Sequence, residues 1–369
     1  MCETWPAVRL TGQLIGLFSF DIGYEIDLAR ARALLAAGET RDLERRRPAP
    51  AHLAYAAPPL AVPLGECTVR VGDAPITAMA SARIHEIGAV TIVLQTPLAC
   101  ALSALPSLTA TLASAGPLED AARTLLDRLE ARIRPAVAKP GRDPIVEDYY
   151  VVQVDRVDPP VTIPELLARE GHTLASALRC DPAPLSDDET AEVLATRLSY
   201  YADDLVITEW NVALVVDDTD YADTVNVLEY LNVQLVELRY YDRVLDRRVG
   251  EAYGLTAARA SALPLVNRPY RRALDELAHI RVDVATIVER LGNALKLSGD
   301  LYLAKIYSRT AQRLALRAWT DSVSRKLEVL DRLYGVLLDR VSTARAEALE
   351  VTIIVLIALE IVIFLVGWA

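Results

Sequence analysis

The stretch VTIIVLIALEIVIFLVGW, residues 351–368, decides how this chain is read. It is broken only by Glu360 and ends at the aromatic Trp368. Counted from Ala348, about twenty helical residues at roughly 1.5 Å each reach about 30 Å, the thickness of a hydrocarbon core. The expectation is a single C-terminal transmembrane anchor over residues 348–369. Arg332, Arg340 and Arg345 precede it and only Ala369 follows Trp368. The positive-inside tendency then keeps the N-terminal bulk cytoplasmic. The expected location is the inner (cytoplasmic) membrane of a bacterium, crossed once. A charged carboxylate at mid-bilayer costs at least a few kcal/mol. Glu360 must therefore be uncharged, paired or hidden, either as a hydrogen-bonding group between helices of an oligomer or as part of an ion or proton path.

The residues leading into that stretch carry the clearest periodic signal in the sequence. Leu316, Val323, Leu327, Leu330, Tyr334, Leu337 and Val341 recur three and four apart, the rhythm of a helix with one apolar seam. A helix of this length needs a partner for its seam, either an earlier helix of the same chain or a second copy. Extended into the anchor, the same spacing takes in Val351, Val355 and Ala358, and Glu360 falls about 200° from Ala358 at 100° per residue. An earlier seam runs through Leu228, Leu231, Leu235, Leu238, Leu245 and Val249, with Asp242 as a polar intruder. Pro264 and Pro269 follow, then a helix over residues 274–295 and a break at Ser298-Gly299-Asp300.

Before residue 218 the pattern changes. Residues 8–20, 67–71, 88–94 and 149–157 read as strands, and residues 205–208 and 212–216 as a hairpin turning near Trp210-Asn211. Residues 28–35, 118–133 and 163–178 read as helices, the last with Pro164 in its first turn. Ser186 with Glu189 reads as a capping box opening a helix to about Ser199. Residues 41–63, with Arg45-Arg46-Arg47 and several prolines, read as a solvated loop. The fold class is therefore α+β: a mixed N-terminal α+β domain over residues 1–217, long coiled-coil-like helices over 218–347, and the transmembrane helix.

At this point the order of parts resembles the RMD1/YagE (DUF155) family. The residues that carry the likeness are Leu349-Glu350, residues 353–361 and residues 327–338, and, with less weight, Ile87-Gly88-Ala89-Val90. In place of the aromatic run that precedes that strand in the family, this chain has His85-Glu86. The resemblance implies a membrane-anchored, self-associating protein with no established enzymatic activity.

Chemistry is sparse. A formal net charge of -11 disfavours nucleic acid as a partner. Cys2, Cys67, Cys100 and Cys180 form no CxxC pair, and Cys2, with only Met1 before it, is not a lipobox cysteine. MCETWP offers no basic region leading into an apolar run, so no secretory signal peptide is expected. His52, His85, His172 and His279 sit in no HExxH or HxH arrangement, and there is no GxGxxG, GxxxxGK[ST] or GxSxG. The acidic groups Asp203-Asp204 and Asp217-Asp218-Asp220 read as strand flanks and helix caps before they read as cation ligands. No catalytic residue, metal or cofactor is expected. The expected function is a non-enzymatic anchored protein that self-associates and docks other proteins at the bilayer. The competing expectation is an oligomeric ion or proton channel with Glu360 in its path.

Overall fold

The computed structural model describes residues 7–35, 40–42, 58–71, 74–114, 116–141, 145–219, 221–257 and 301–367, with Val282 and Ala285. The chain forms two compact units, Met1–Tyr240 with Arg290–Arg317, and Tyr241–Glu289 with Ala318–Ala369.

The first unit is built on a mixed eight-stranded sheet. Its strands are β1 (Arg9–Asp21), β3 (Arg41–Asp42), β4 (Leu60–Val71), β5 (Ala74–Ile84), β6 (Ala89–Ala101), β8 (Val146–Asp158), β9 (Leu205–Thr208) and β10 (Val212–Val216). They lie in the order β3-β4-β5-β6-β1-β8-β10-β9, with β2 (Gly23–Ile26) and β7 (Val137–Pro140) pairing apart. Among the described residues only β8 and β10 pair in parallel, joined through the helices α4 (Ile163–Leu178) and α5 (Asp187–Leu194) and then β9. Leu10, Leu14, Phe18 and Phe20 alternate along β1 into one core. That core is shared with α1 (Leu28–Leu34), α2 (Leu105–Ala113), α3 (Gly116–Ile133), α4 and α5. The intervening residues Ile15, Leu17 and Ser19 are equally buried, so this central strand is covered on both faces. The element on the second face is α6 (Tyr221–Ala257).

Several sequence expectations need adjustment. The apolar run at 88–94 belongs to a hairpin: β5 ends at Ile84 and β6 begins at Ala89. Gly88 lies in the turn at φ +97°, where a Cβ would meet the Gly23 carbonyl oxygen at 1.8 Å, so glycine is required there. Part of the supposed loop is strand, since β4 begins at Leu60. It accommodates Pro63 through a bulge against β5 at Pro63/Gly65. The arginine triplet lies outside the described residues. The helix after Ser186 stops at Leu194. Ser186 accepts from the Glu189 amide, but the Glu189 carboxylate pairs with Arg179; the complete capping box is Thr162 with Glu165.

In the second unit, α6 from Tyr241 onward lies beside α8 (Leu316–Gly367) from Ala318 onward. Asp242, the intruder in the earlier seam, accepts from Ser322 Oγ at 3.0 Å and from Lys326 Nζ at 2.8 Å, and Lys326 also reaches Asp246 at 2.6 Å. Residue numbers rise together along both helices, so the pair is parallel. Leu245, Ala252, Val323, Leu330 and Tyr334 are buried. The helix expected over 274–295 and the break at 298–300 lie outside the described residues. The structure is thus α+β, with a mixed sheet domain followed by helices. Among the described residues no helix is long and apolar enough to cross a membrane.

Candidate functional site

Two groups of residues depart from the ordinary rule that polar side chains face water and apolar ones do not. The first lies inside the sheet unit. Strand register aligns Arg83 of β5 with Thr91 of β6, Thr91 with Ser19 of β1, and Ser19 with Glu147 of β8. Four strands thereby present one transverse polar row. It is set in an apolar surface, since Ile15 and Leu17 lie beside Ser19 on β1.

Helix α6 answers that row residue by residue. Asn226, Glu229 and Asn232 recur three apart and so share one face. Arg83 donates to Asn226 Oδ1 at 2.7 Å and forms a close ion pair with Glu229. His85 Nε2 lies 3.1 Å from the other Glu229 oxygen. In the middle of the row, Asn232 Nδ2 donates to Ser19 Oγ at 3.1 Å and to the Glu147 carbonyl at 2.8 Å, while Ser19 and Thr91 hydroxyls meet at 3.0 Å. At its far end Arg239 of α6 pairs with the Glu147 carboxylate. The sheet thus offers a cation then an anion, and the helix an anion then a cation. Reversing α6 would set like charges together at both ends, so the pattern fixes the direction and register of the helix.

Burial and partners act oppositely on these two acids. Burial drives the Glu229 carboxyl upward, but Arg83 and His85 outweigh it and hold the group below the usual carboxylate range. For Glu147 burial prevails over Arg239, with Asp148 adding to it, and the carboxyl is pushed up to about 7.

A second cluster ties the helices to the β9–β10 turn. The Glu209 carboxylate, 1% exposed, takes Arg179 Nη1 at 3.0 Å and Arg313 Nε at 2.7 Å. Arg179 is the C-cap residue of α4 and Arg313 ends α7 (Leu301–Arg313). Both arginines also reach Glu192 of α5, at 3.2 and 3.1 Å. Tyr149 donates its hydroxyl to the Glu209 carbonyl at 3.0 Å. These carboxylates are bound by arginine, an arrangement that fixes structure. Among the described residues no group of three or more His, Cys, Asp or Glu could hold a metal ion. Cys67, Cys100 and Cys180 are free and half-buried, and burial raises each thiol, Cys180 up to about 11. At neutral pH they are thiols and not nucleophilic thiolates.

The other departure lies in the second unit. From Leu349 to Ile363 the large aliphatic side chains of α8 are exposed around the whole helix, from 52% at Ile357 to 65% at Leu349. Glu360 is exposed among them. Of the seam residues expected from sequence, Leu316 is buried in the first unit; in the second, Val323, Leu330 and Tyr334 are buried and Leu327 is half-buried. The side chains of Leu337 and Val341 lie outside the described set. The sequence does not display the polar row, because its members are far apart along the chain and meet only through strand register. Its local trace is the three-residue spacing of Asn226, Glu229 and Asn232 among the apolar residues Val225, Val227, Leu228, Leu231 and Val233.

Fold and sites together define a mixed-sheet α+β domain that clasps a long helix through a polar row and carries a long helical extension. Residues 11–223 match the family described as Uncharacterized protein MJ0711, N-terminal domain, and the chain belongs to that family. It is 24% identical over 193 residues to Uncharacterized protein MJ0711 of Methanocaldococcus jannaschii, covering 52% of this chain and 58% of that protein. The match therefore spans less than two thirds of that relative's length. No solved structure matches the chain. The matched residues hold the whole polar row on the sheet but end three residues into α6, so the row's helical partners lie beyond them.

Proposed function

We propose that this protein is a non-enzymatic membrane-anchored scaffold: the far end of α8 enters a bilayer, and the sheet domain is held at the lipid surface to self-associate and dock other proteins. The observation that carries this reading is the exposure of aliphatic side chains on every side of α8 between Leu349 and Ile363. Soluble monomers seldom expose contiguous apolar surface on that scale. The segment with described side chains spans about 22 Å, short of a bilayer core, but α8 continues to Gly367, and from Leu349 that is about 28 Å. The likeness of residues 353–361 to the RMD1/YagE family points the same way. The acidic sheet domain, whose buried Glu147 and Glu209 pair with arginines, fits a docking role better than a catalytic one.

The test is flotation of the full-length protein with phosphatidylcholine vesicles, followed by an alkaline carbonate wash. The expected result is co-flotation that survives carbonate and is released only by detergent. Recovery of intact protein in the aqueous fraction without detergent overturns the reading.

A further inference from the structure

The exposed end of α8 is not uniformly greasy. Leu349, Ile353, Leu356, Glu360 and Ile363 follow one another by four, three, four and three residues, an unbroken heptad seam. All five are exposed. In heptad terms Leu349, Leu356 and Ile363 occupy d positions, and Ile353 and Glu360 occupy a positions. A lone polar group at an a position sets register, and in hydrocarbon, where aliphatic side chains gain little from one another, it also supplies an attraction between helices.

We propose that this segment of α8 pairs in parallel with the same segment of a second copy along that seam, with a hydrogen bond between the two Glu360 carboxyl groups. The inference rests on the membrane reading above and names its partner. In hydrocarbon a carboxyl group needs a donor or acceptor from another helix. A second copy inserted in the same sense brings that group to the same depth, and a carboxyl group complements itself as both donor and acceptor. An unrelated helix would need its own polar residue at that level. The seam differs from the α8 face, Val323, Leu330 and Tyr334, that is buried in the second unit, so intrachain packing there leaves it open.

The experiment measures energy transfer between donor- and acceptor-labelled full-length protein in phosphatidylcholine vesicles, on material first recovered by flotation. Expected are a dimer signal for the native chain and for E360Q, and dissociation on the order of 3- to 30-fold easier for E360L. L356A, on the seam, weakens transfer, whereas I361A, about 120° round the helix from the middle of the seam, leaves it unchanged. Failure to float overturns both readings. Flotation without transfer, equal behaviour of E360Q and E360L, or equal behaviour of L356A and I361A overturns the pairing and leaves anchoring intact.

Discussion

The polar row beneath α6 and the far end of α8 are opposites. In the first, charged and amide groups are buried, yet Glu229, Asn232 and Glu147 all have protein partners. In the second, aliphatic groups stand in the open. A buried polar group is tolerated when its hydrogen bonds are replaced, and an exposed apolar helix when its solvent is not water. The contrast says which surroundings each segment fits: α6 one particular sheet face and, on the function proposed above, α8 lipid.

The largest effect expected comes from breaking the second half of that contrast. Ile354 and Ile361 lie away from the Glu360 seam, and both are exposed. On the proposed membrane insertion, the double change I354R/I361R would place two cations in the hydrocarbon, each costing about 2.5–3.5 kcal/mol on insertion scales. Co-flotation should be lost while the circular dichroism of the sheet domain is unchanged. Continued co-flotation would mean that lipid does not surround this segment.

Next comes the polar row. Glu229→Ala leaves Arg83 buried without its carboxylate, and loss of one partner from a buried pair costs about 3–5 kcal/mol. The thermal midpoint of the protein should fall accordingly. The double change R83M/E229M removes both charges and should restore most of the loss. A double variant as unstable as E229A would show that the row does more than satisfy its own charges.

Much of the frame was legible because its periodicities are local. The alternation along β1 and β8, the hairpin of β9 and β10, and the spacing in α3 and α4 each repeat within one element. The β5–β6 hairpin was not, because apolar residues continue on both sides of His85-Glu86-Ile87-Gly88 and the turn lacks an Asn-Gly or Asp-Gly pair. The polar row is less visible still: Ser19, Arg83, Thr91 and Glu147 become neighbours only through strand register. Asp242 was visible as an intruder, but its reason, Ser322 and Lys326, lies 80 and 84 residues away.

Glu147 offers a smaller, pH-dependent test of the row. Its carboxyl, pushed up to about 7 in the folded protein, titrates nearer 4.5 when unfolded. The folded state therefore holds the proton more tightly. The stability this confers is complete below about pH 4.5 and is lost as pH rises through about 7. Glu147→Gln mimics the protonated group. The stability of the native chain minus that of E147Q should fall by up to about 3 kcal/mol between those limits. A flat difference would mean that Arg239 keeps Glu147 ionised throughout.

The smallest effect separates two helix starts that look alike in sequence. Thr162 and Ser186 each stand three residues before a glutamate, and each accepts from that residue's amide, at 3.4 and 3.2 Å. Glu165 reaches back to the Thr162 amide at 3.0 Å, whereas Glu189 is drawn off to Arg179. Thr162→Ala therefore removes one arm of a reciprocal pair, and Ser186→Ala an isolated cap. Each should cost about 1 kcal/mol. The two differ in their coupling: Glu165→Gln should change the cost of T162A, while Glu189→Gln should leave that of S186A unaltered. Double-mutant cycles in chemical denaturation measure both couplings, and equal couplings would return Glu189 to the capping role its spacing suggests.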